Sequence, residues 1–142
     1  NRYESNLLNT VQQTLDFMDI VDEPNVVVHA DVYHMNIEEN GFRKPLLLCG
    51  DRLGYVHIGE SNRGYLGDGT IDFEEVFGAL ADMDYTGPMT FESFSSAVVD
   101  PQLSNTLAVW RNLWSDSMDL ATKAREFMAG GMEQARATRG SR

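Results

Sequence analysis

Three residues in this chain could together do metal chemistry: Asp31, His57 and Glu92, spaced 26 and 35 positions apart. Two carboxylates and one imidazole, without sulfur, form a hard-to-borderline ligand set. Such a set suits Mn²⁺, Mg²⁺, Co²⁺ or Fe²⁺ in an open site better than a closed structural zinc site. Each residue stands at or near the end of a short apolar run. Asp31 follows Val26-Val27-Val28-His29-Ala30, His57 lies in Leu53-Gly54-Tyr55-Val56-His57-Ile58, and Glu92 lies in Pro88-Met89-Thr90-Phe91-Glu92-Ser93-Phe94. A single acid after a strand is commonly a helix cap or a turn residue. What sets these three apart is their equivalent position in three successive units.

The runs read as β-strands, and helical patterns lie between and around them. Leu7, Leu8, Val11, Leu15 and Met18 form one apolar stripe that predicts a helix from about Asn6 to Val21. Asp72 reads as the N-cap of a helix carrying Phe73, Val76, Phe77 and Leu80. Leu103, Leu107, Trp110 and Trp114 mark a further helix. A last one runs from about Ser117 to Arg136, weakened or kinked at Gly130-Gly131, with residues 137–142 as a disordered tail. Strands alternating with helices imply parallel pairing through right-handed crossovers. Near-continuous apolar strands imply a sheet covered on both faces. In such a sheet or barrel all strand C-termini open on one face, so Asp31, His57 and Glu92 can converge there.

Composition narrows the function. The chain has 142 residues with 11 Lys+Arg against 22 Asp+Glu, a formal charge of −11. That balance argues against nucleic acid and anionic membrane surfaces, both of which require clustered cations. At 42% hydrophobic and 10% aromatic the chain can build a packed core, read as one domain over residues 1–142. No apolar run approaches the ~18 residues of a membrane-spanning helix. The one cysteine, Cys49, in Leu46-Leu47-Leu48-Cys49, is expected to be a buried, inert thiol, and the cytoplasm is the expected compartment. The segment Asp68–Glu75 mimics the second half of a calcium loop. With Gly69 at the sixth position, however, Gly64 and Leu66 fall where side-chain oxygens are required. Asp72 is therefore read as a cap. His29 is read as a packed strand residue.

Four stretches carry a family resemblance. Asn1-Arg2-Tyr3-Glu4, Asp31-Val32-Tyr33-His34-Met35-Asn36-Ile37-Glu38-Glu39, His57-Ile58-Gly59-Glu60-Ser61-Asn62-Arg63 and Phe91-Glu92-Ser93-Phe94 together resemble the D-tagatose/D-psicose 3-epimerase family, within the sugar isomerase/epimerase TIM barrels. The resemblance implies an α/β fold: the C-terminal half of a (β/α)₈ barrel, with about three parallel strands and the end of a fourth. It implies a divalent metal, Mn²⁺ with Mg²⁺ or Co²⁺ as alternatives, held in the family by Glu, Asp, His and Glu. Asp31, His57 and Glu92 match three of these ligands, and the fourth falls before Asn1. The implied reaction takes a proton from C3 of a ketose through a metal-stabilised enediolate and returns one on the opposite face. Two carboxylates are needed for that, with Glu92 as one catalytic group. By the same resemblance Glu4, His34 and Arg63 bind the sugar, and Glu60 orients His57 or Arg63.

A complete barrel of this kind needs ~250 residues. These 142 are therefore expected to be a portion of an epimerase, completed by the missing half barrel or by association with a second copy. An aldose–ketose isomerase of the same fold, or a non-catalytic metal- or sugar-binding half barrel, are the alternatives. The partner is a small ketose sugar, and the absence of a Lys/Arg cluster favours an unphosphorylated one.

Overall fold

The computed structural model describes residues 2–141. It contains helix α1 (Val11–Val21), strand β1 (Val28–Asp31), helices α2 (Val32–Glu38) and α3 (Arg43–Cys49), and strand β2 (Leu53–Ile58). Helix α4 (Phe73–Asp82), strand β3 (Met89–Phe91), helix α5 (Pro101–Thr106) and helix α6 (Ser117–Gly140) follow. The strands form one parallel sheet in the order β1-β2-β3, and helices cross over between them. This is the parallel α/β architecture that the strand–helix alternation implies, and it matches the partial barrel that the family resemblance implies. The end of a fourth strand was expected at the very start of the chain, where Asn1 lies outside the described residues.

Only one sheet face is covered. Val28, Ala30, Val56 and Ile58 point beneath the helices and are at most 3% exposed. Burial drives this packing, since removing apolar surface from water is the main favourable contribution to folding. The residues between them, His29, Asp31, Tyr55 and His57, occupy the opposite face and are exposed or half-buried. The expectation of two covered faces therefore holds for one. On the open face the strands carry polar side chains, and the period-2 alternation of a strand delivers them there together.

Helix boundaries follow the caps more closely than the apolar stripe. Helix α1 begins at Val11, five residues later than the stripe suggests, because Thr10 and Gln13 form a capping box. Thr10 Oγ1 accepts from the Gln13 amide at 3.3 Å, and Gln13 Oε1 accepts from the Thr10 amide at 3.1 Å. Leu7 is left outside the helix and 66% exposed. Asp72 caps α4 as read from the sequence, accepting from the Glu75 amide at 2.9 Å. Acids distant in sequence also hold helix starts: Glu39 accepts from Val11 N–H of α1 at 2.8 Å, and Glu75 from the amides of Phe42 and Arg43 at the start of α3 at 3.1 and 3.0 Å. These carboxylates answer donors that have no partner within their own helix.

The C-terminal third departs most from expectation. The helix expected to contain Leu103 to Trp114 is short: α5 starts at Pro101 and stops at Thr106, and Ala108 takes a left-handed φ of 54°. Trp110 and Trp114 lie in the following loop instead. That loop is pinned by buried Ser95, whose Oγ donates to Asn112 and accepts from the Leu113 and Trp114 amides. Helix α6 runs on through Gly140, across the stretch expected to be a disordered tail, because its arginines find acceptors on the α4 end. Arg136 donates to the Tyr85 carbonyl at 3.2 Å, and Arg139 to the Ala81 carbonyl at 2.7 Å and to Asp84. Gly131 does not interrupt α6. It admits the Phe77 ring so closely that a Cβ there would meet it at 2.4 Å, which lets α6 dock on α4.

Cys49 is 2% exposed, and burial pushes its thiol up to about 11. At pH 8 only about a thousandth of such a thiol is thiolate, the reactive form. Cys49 should therefore resist a disulfide-exchange reagent at pH 8 while the protein is folded and react within seconds once urea unfolds it. Replacing Glu75 by Ala should cost about 1–2 kcal/mol, measured by urea denaturation, because two helix-start amides lose their acceptor.

Candidate functional site

The site is built by strand register. Asp31 pairs with His57 across β1 and β2, and His57 with Thr90 across β2 and β3. The parallel pairing continues one bond further, with the Glu92 amide donating to the Ile58 carbonyl at 2.9 Å. These bonds bring Asp31, His57 and Glu92 to one end of the open sheet face. A ligand atom from each lies within 4.8 Å of the other two, and they are the group of this kind found among the described residues. The two oxygens of Asp31 face different ways, one toward the start of a helix and the other toward His57. Oδ1 accepts from the His34 amide at 3.3 Å and starts α2, while Oδ2 lies 3.4 Å from His57 Nδ1.

Arg63 closes the site from the loop after β2. It is only 6% exposed, and its φ of 64° is unusual for a residue with a Cβ. Its guanidinium pairs with Glu92 Oε2, lies 3.5 Å from the centre of the Tyr33 ring and 5.2 Å from that of Phe94, and reaches His34 Nε2 at 3.5 Å. A planar, permanently charged group stacked on aromatics can hold a carboxylate in one orientation while keeping further donors for a ligand. Burial holds the His34 imidazole below its ordinary value, with the Asp31 carboxylate pulling the other way. An Nε2 that accepts from Arg63 leaves the proton of a neutral ring on Nδ1, a buried atom without a partner among the described residues.

All six residues singled out in the sequence, Glu4, Asp31, His34, His57, Arg63 and Glu92, line one cleft of about 510 Å³. Glu4 sits on its exposed rim. One reading is narrowed and one needs correction. The Glu60 carboxylate makes no hydrogen bond to the His57 or Arg63 side chain and turns into its own loop, accepting from backbone amides there, so a link to Arg63 runs through that loop. His29 is not packed in the core: it stands exposed on the open face, edge-on to His57 at 4.2 Å and 4.7 Å from Tyr55 between ring centres. Tyr33, Tyr55 and Thr90 were not singled out, although Tyr33 carries the Arg63 guanidinium and Tyr55 hydrogen-bonds Thr90 at 2.5 Å. The signal for Tyr55 was present, since His29/Asp31 and Tyr55/His57 are i, i+2 pairs on one strand face.

Two carboxylates and an imidazole at these separations fit a divalent cation that prefers oxygen and nitrogen donors. Because a carboxylate paired to a buried guanidinium stands beside that group, the cleft can also bind a polyhydroxy or carbonyl compound and move a proton on it.

Comparison with known proteins agrees with the geometry. Residues 1–137 match the family model described as xylose isomerase-like TIM barrel. An L-ribulose 3-epimerase of Methylomonas sp. (strain DH-1) is 65% identical over 128 residues, covering 90% of this chain and 45% of that protein. The crystal structure of a D-allulose 3-epimerase from Methylomonas sp. in complex with D-allulose superposes with a TM-score of 0.87 at 64% identity, over 92% of this chain and 45% of that one. An L-ribulose 3-epimerase structure superposes with a TM-score of 0.94 at 48% identity, over 99% of this chain and 47% of that one. The chain thus spans a little under half the length of these relatives. The chain belongs to the xylose isomerase-like TIM barrel family, and within it matches the D-tagatose/D-psicose 3-epimerases.

Proposed function

We propose that this chain is part of a metal-dependent ketose 3-epimerase, with Asp31, His57 and Glu92 as metal ligands and Glu92 also as a proton-transfer group. The observation that carries this reading is the meeting of those three side chains with Arg63 in one cleft, in a chain whose relatives are ketose 3-epimerases. A divalent cation in this position supplies Lewis-acid charge to neighbouring sugar oxygens, which eases loss of a proton from the adjacent carbon. Mn²⁺ is the proposed ion, with Mg²⁺ and Co²⁺ as alternatives.

The chain's own residues do the rest. Glu92 takes the proton from C3 or returns it, and the Arg63 guanidinium holds the carboxylate still and offers its remaining donors to sugar oxygens. His34 in the cleft and Glu4 on the rim contact hydroxyl or carbonyl oxygens at the reacting end. Inversion requires a second carboxylate on the sugar's other face, and we place that group outside residues 2–141. The substrate is proposed to be a small unphosphorylated ketose. No helix among the described residues is long and apolar enough to cross a membrane.

Incubated with Mn²⁺ and D-fructose, D-tagatose or L-ribulose in D₂O, the protein should form the C3 epimer and incorporate deuterium at C3. Label at C1 or C2 would instead identify an aldose–ketose isomerase, and no turnover of any ketose would defeat the epimerase reading. Glu92→Gln should lower the rate of C3 exchange at least about 10²- to 10⁴-fold, the ordinary worth of a positioned acid/base. After chelation, added Mn²⁺ at about 100 times its Kd should stabilise the protein by about 2.7 kcal/mol. His57→Ala should abolish that gain, read as the shift in thermal midpoint.

A further inference from the structure

The acid with the least contact with solvent in the chain plays no part in the reaction outlined above. Glu60 is 0% exposed, the largest fully buried side chain that is not apolar. Its partners are all donors from the loop that follows β2. Oε1 accepts from the Ser61 amide at 2.7 Å, the Ser61 hydroxyl at 3.0 Å and the Ile71 amide at 3.3 Å, and Oε2 accepts from the Gly67 amide at 2.9 Å. The Ser61 hydroxyl in turn accepts from the Thr70 amide at 2.9 Å. Gly69 leaves the room for this: a Cβ at that position would lie 2.2 Å from Glu60 Oε1. One carboxylate therefore gathers the two ends and the middle of a twelve-residue loop, residues 60–71. Buried amides without such an acceptor would each bear the full cost of lost hydration.

Arg63 belongs to this loop. Its amide donates to the Glu60 carbonyl at 2.8 Å, and its own carbonyl accepts from the Phe94 amide at 3.0 Å and from the Ser93 hydroxyl. A left-handed residue with a Cβ persists only where its surroundings over-determine it. Here the loop closed around Glu60 supplies one side of that constraint and the strand end at Ser93–Phe94 the other. The guanidinium is consequently delivered to Glu92 from a backbone that cannot relax without breaking the Glu60 bonds.

We infer that Glu60 is a positioning residue for the reaction: by organising the 60–71 loop it holds Arg63 in the conformation that orients the Glu92 carboxylate. This rests on the epimerase reading for its kinetic consequence, though not for its structural one. Glutamine is the informative replacement, because all four partners of the carboxylate donate. A side-chain amide must turn its NH₂ toward at least one of them, setting donor against donor.

The test uses the protein encoded by the full reading frame. In Glu60→Gln, hydrogen exchange at the Gly67 and Ile71 amides should accelerate at least tenfold, and at a temperature well below unfolding kcat/KM for the ketose should fall about 10- to 100-fold, the usual worth of a group that orients a site residue. In an Arg63→Ala background the same Glu60→Gln change should cost less than about threefold more, because residues acting as a unit are not additive. Unchanged amide exchange overturns the inference. So does unchanged kcat/KM in a less stable protein, which would make Glu60 merely structural, or a full penalty retained without Arg63. If Glu60→Gln does not fold, Ser61→Ala removes one donor and should show the same pattern in smaller measure; failure to do so also overturns it. Should the parent protein turn over no ketose, the epimerase reading falls while the exchange measurement still decides the role of Glu60 in the loop.

Discussion

Parallel register is the constraint on which the rest of this structure depends. Residues opposite one another in a parallel ladder share a sheet face and a height along the strands, and the hydrogen bonds that fix the ladder allow no intermediate alignment. With Asp31 opposite His57 and Glu92 bonded to Ile58, three short polar side chains from distant points of the chain must lie together. A slip of one residue in β2 would send His57 under the helices and Val56 to the open face. The apolar set Val28, Ala30, Val56 and Ile58 prevents that slip, because it would bury an imidazole and expose two core side chains. Hydrophobic burial on one face therefore places the polar chemistry on the other.

A second theme is the work done by acids in a chain of net charge −11. Many are not solvated surface charge. Glu39 and Glu75 start helices to which they do not belong, Asp31 and Asp72 start their own, and Glu60 gathers a loop. In each case a carboxylate meets backbone amides that lack a partner, and such bonds are stronger than neutral ones. The fold thus uses a good part of its acid internally. Arg63 supplies the opposite charge where the site needs it, in contact with Glu92 and seated on Tyr33.

Much of this was legible in the sequence. Strand β2, the Asp72 cap, the buried thiol of Cys49 and the convergence of Asp31, His57 and Glu92 all follow from apolar runs, cap residues and strand alternation. What misled was periodicity without a stop signal. The stripe from Leu7 hides the Thr10–Gln13 capping box, and the spacing of Leu103, Leu107, Trp110 and Trp114 suggests a helix that breaks at Ala108. The tryptophans follow Ser95 into a loop because a buried hydroxyl with three partners outweighs weak helix propensity. Arg136 and Arg139 stay helical because acceptors at the end of α4 and just beyond it reach them.

By itself the sequence determined which residue types could meet: a strand alternation that sets Asp31 and His57 on one face, and a motif order that matches a sugar epimerase family. Only the tertiary structure decided what each does, because function here lies in contacts between residues far apart in the chain. It split Asp31 between a helix cap and a contact with His57, turned the Glu60 carboxylate into its own loop, and brought Arg63, 29 residues before Glu92, into contact with it. Spacing along a strand is local and can be read from one segment. The direction a loop carboxylate faces depends on which amides the folded chain leaves without partners, and no single segment holds that information.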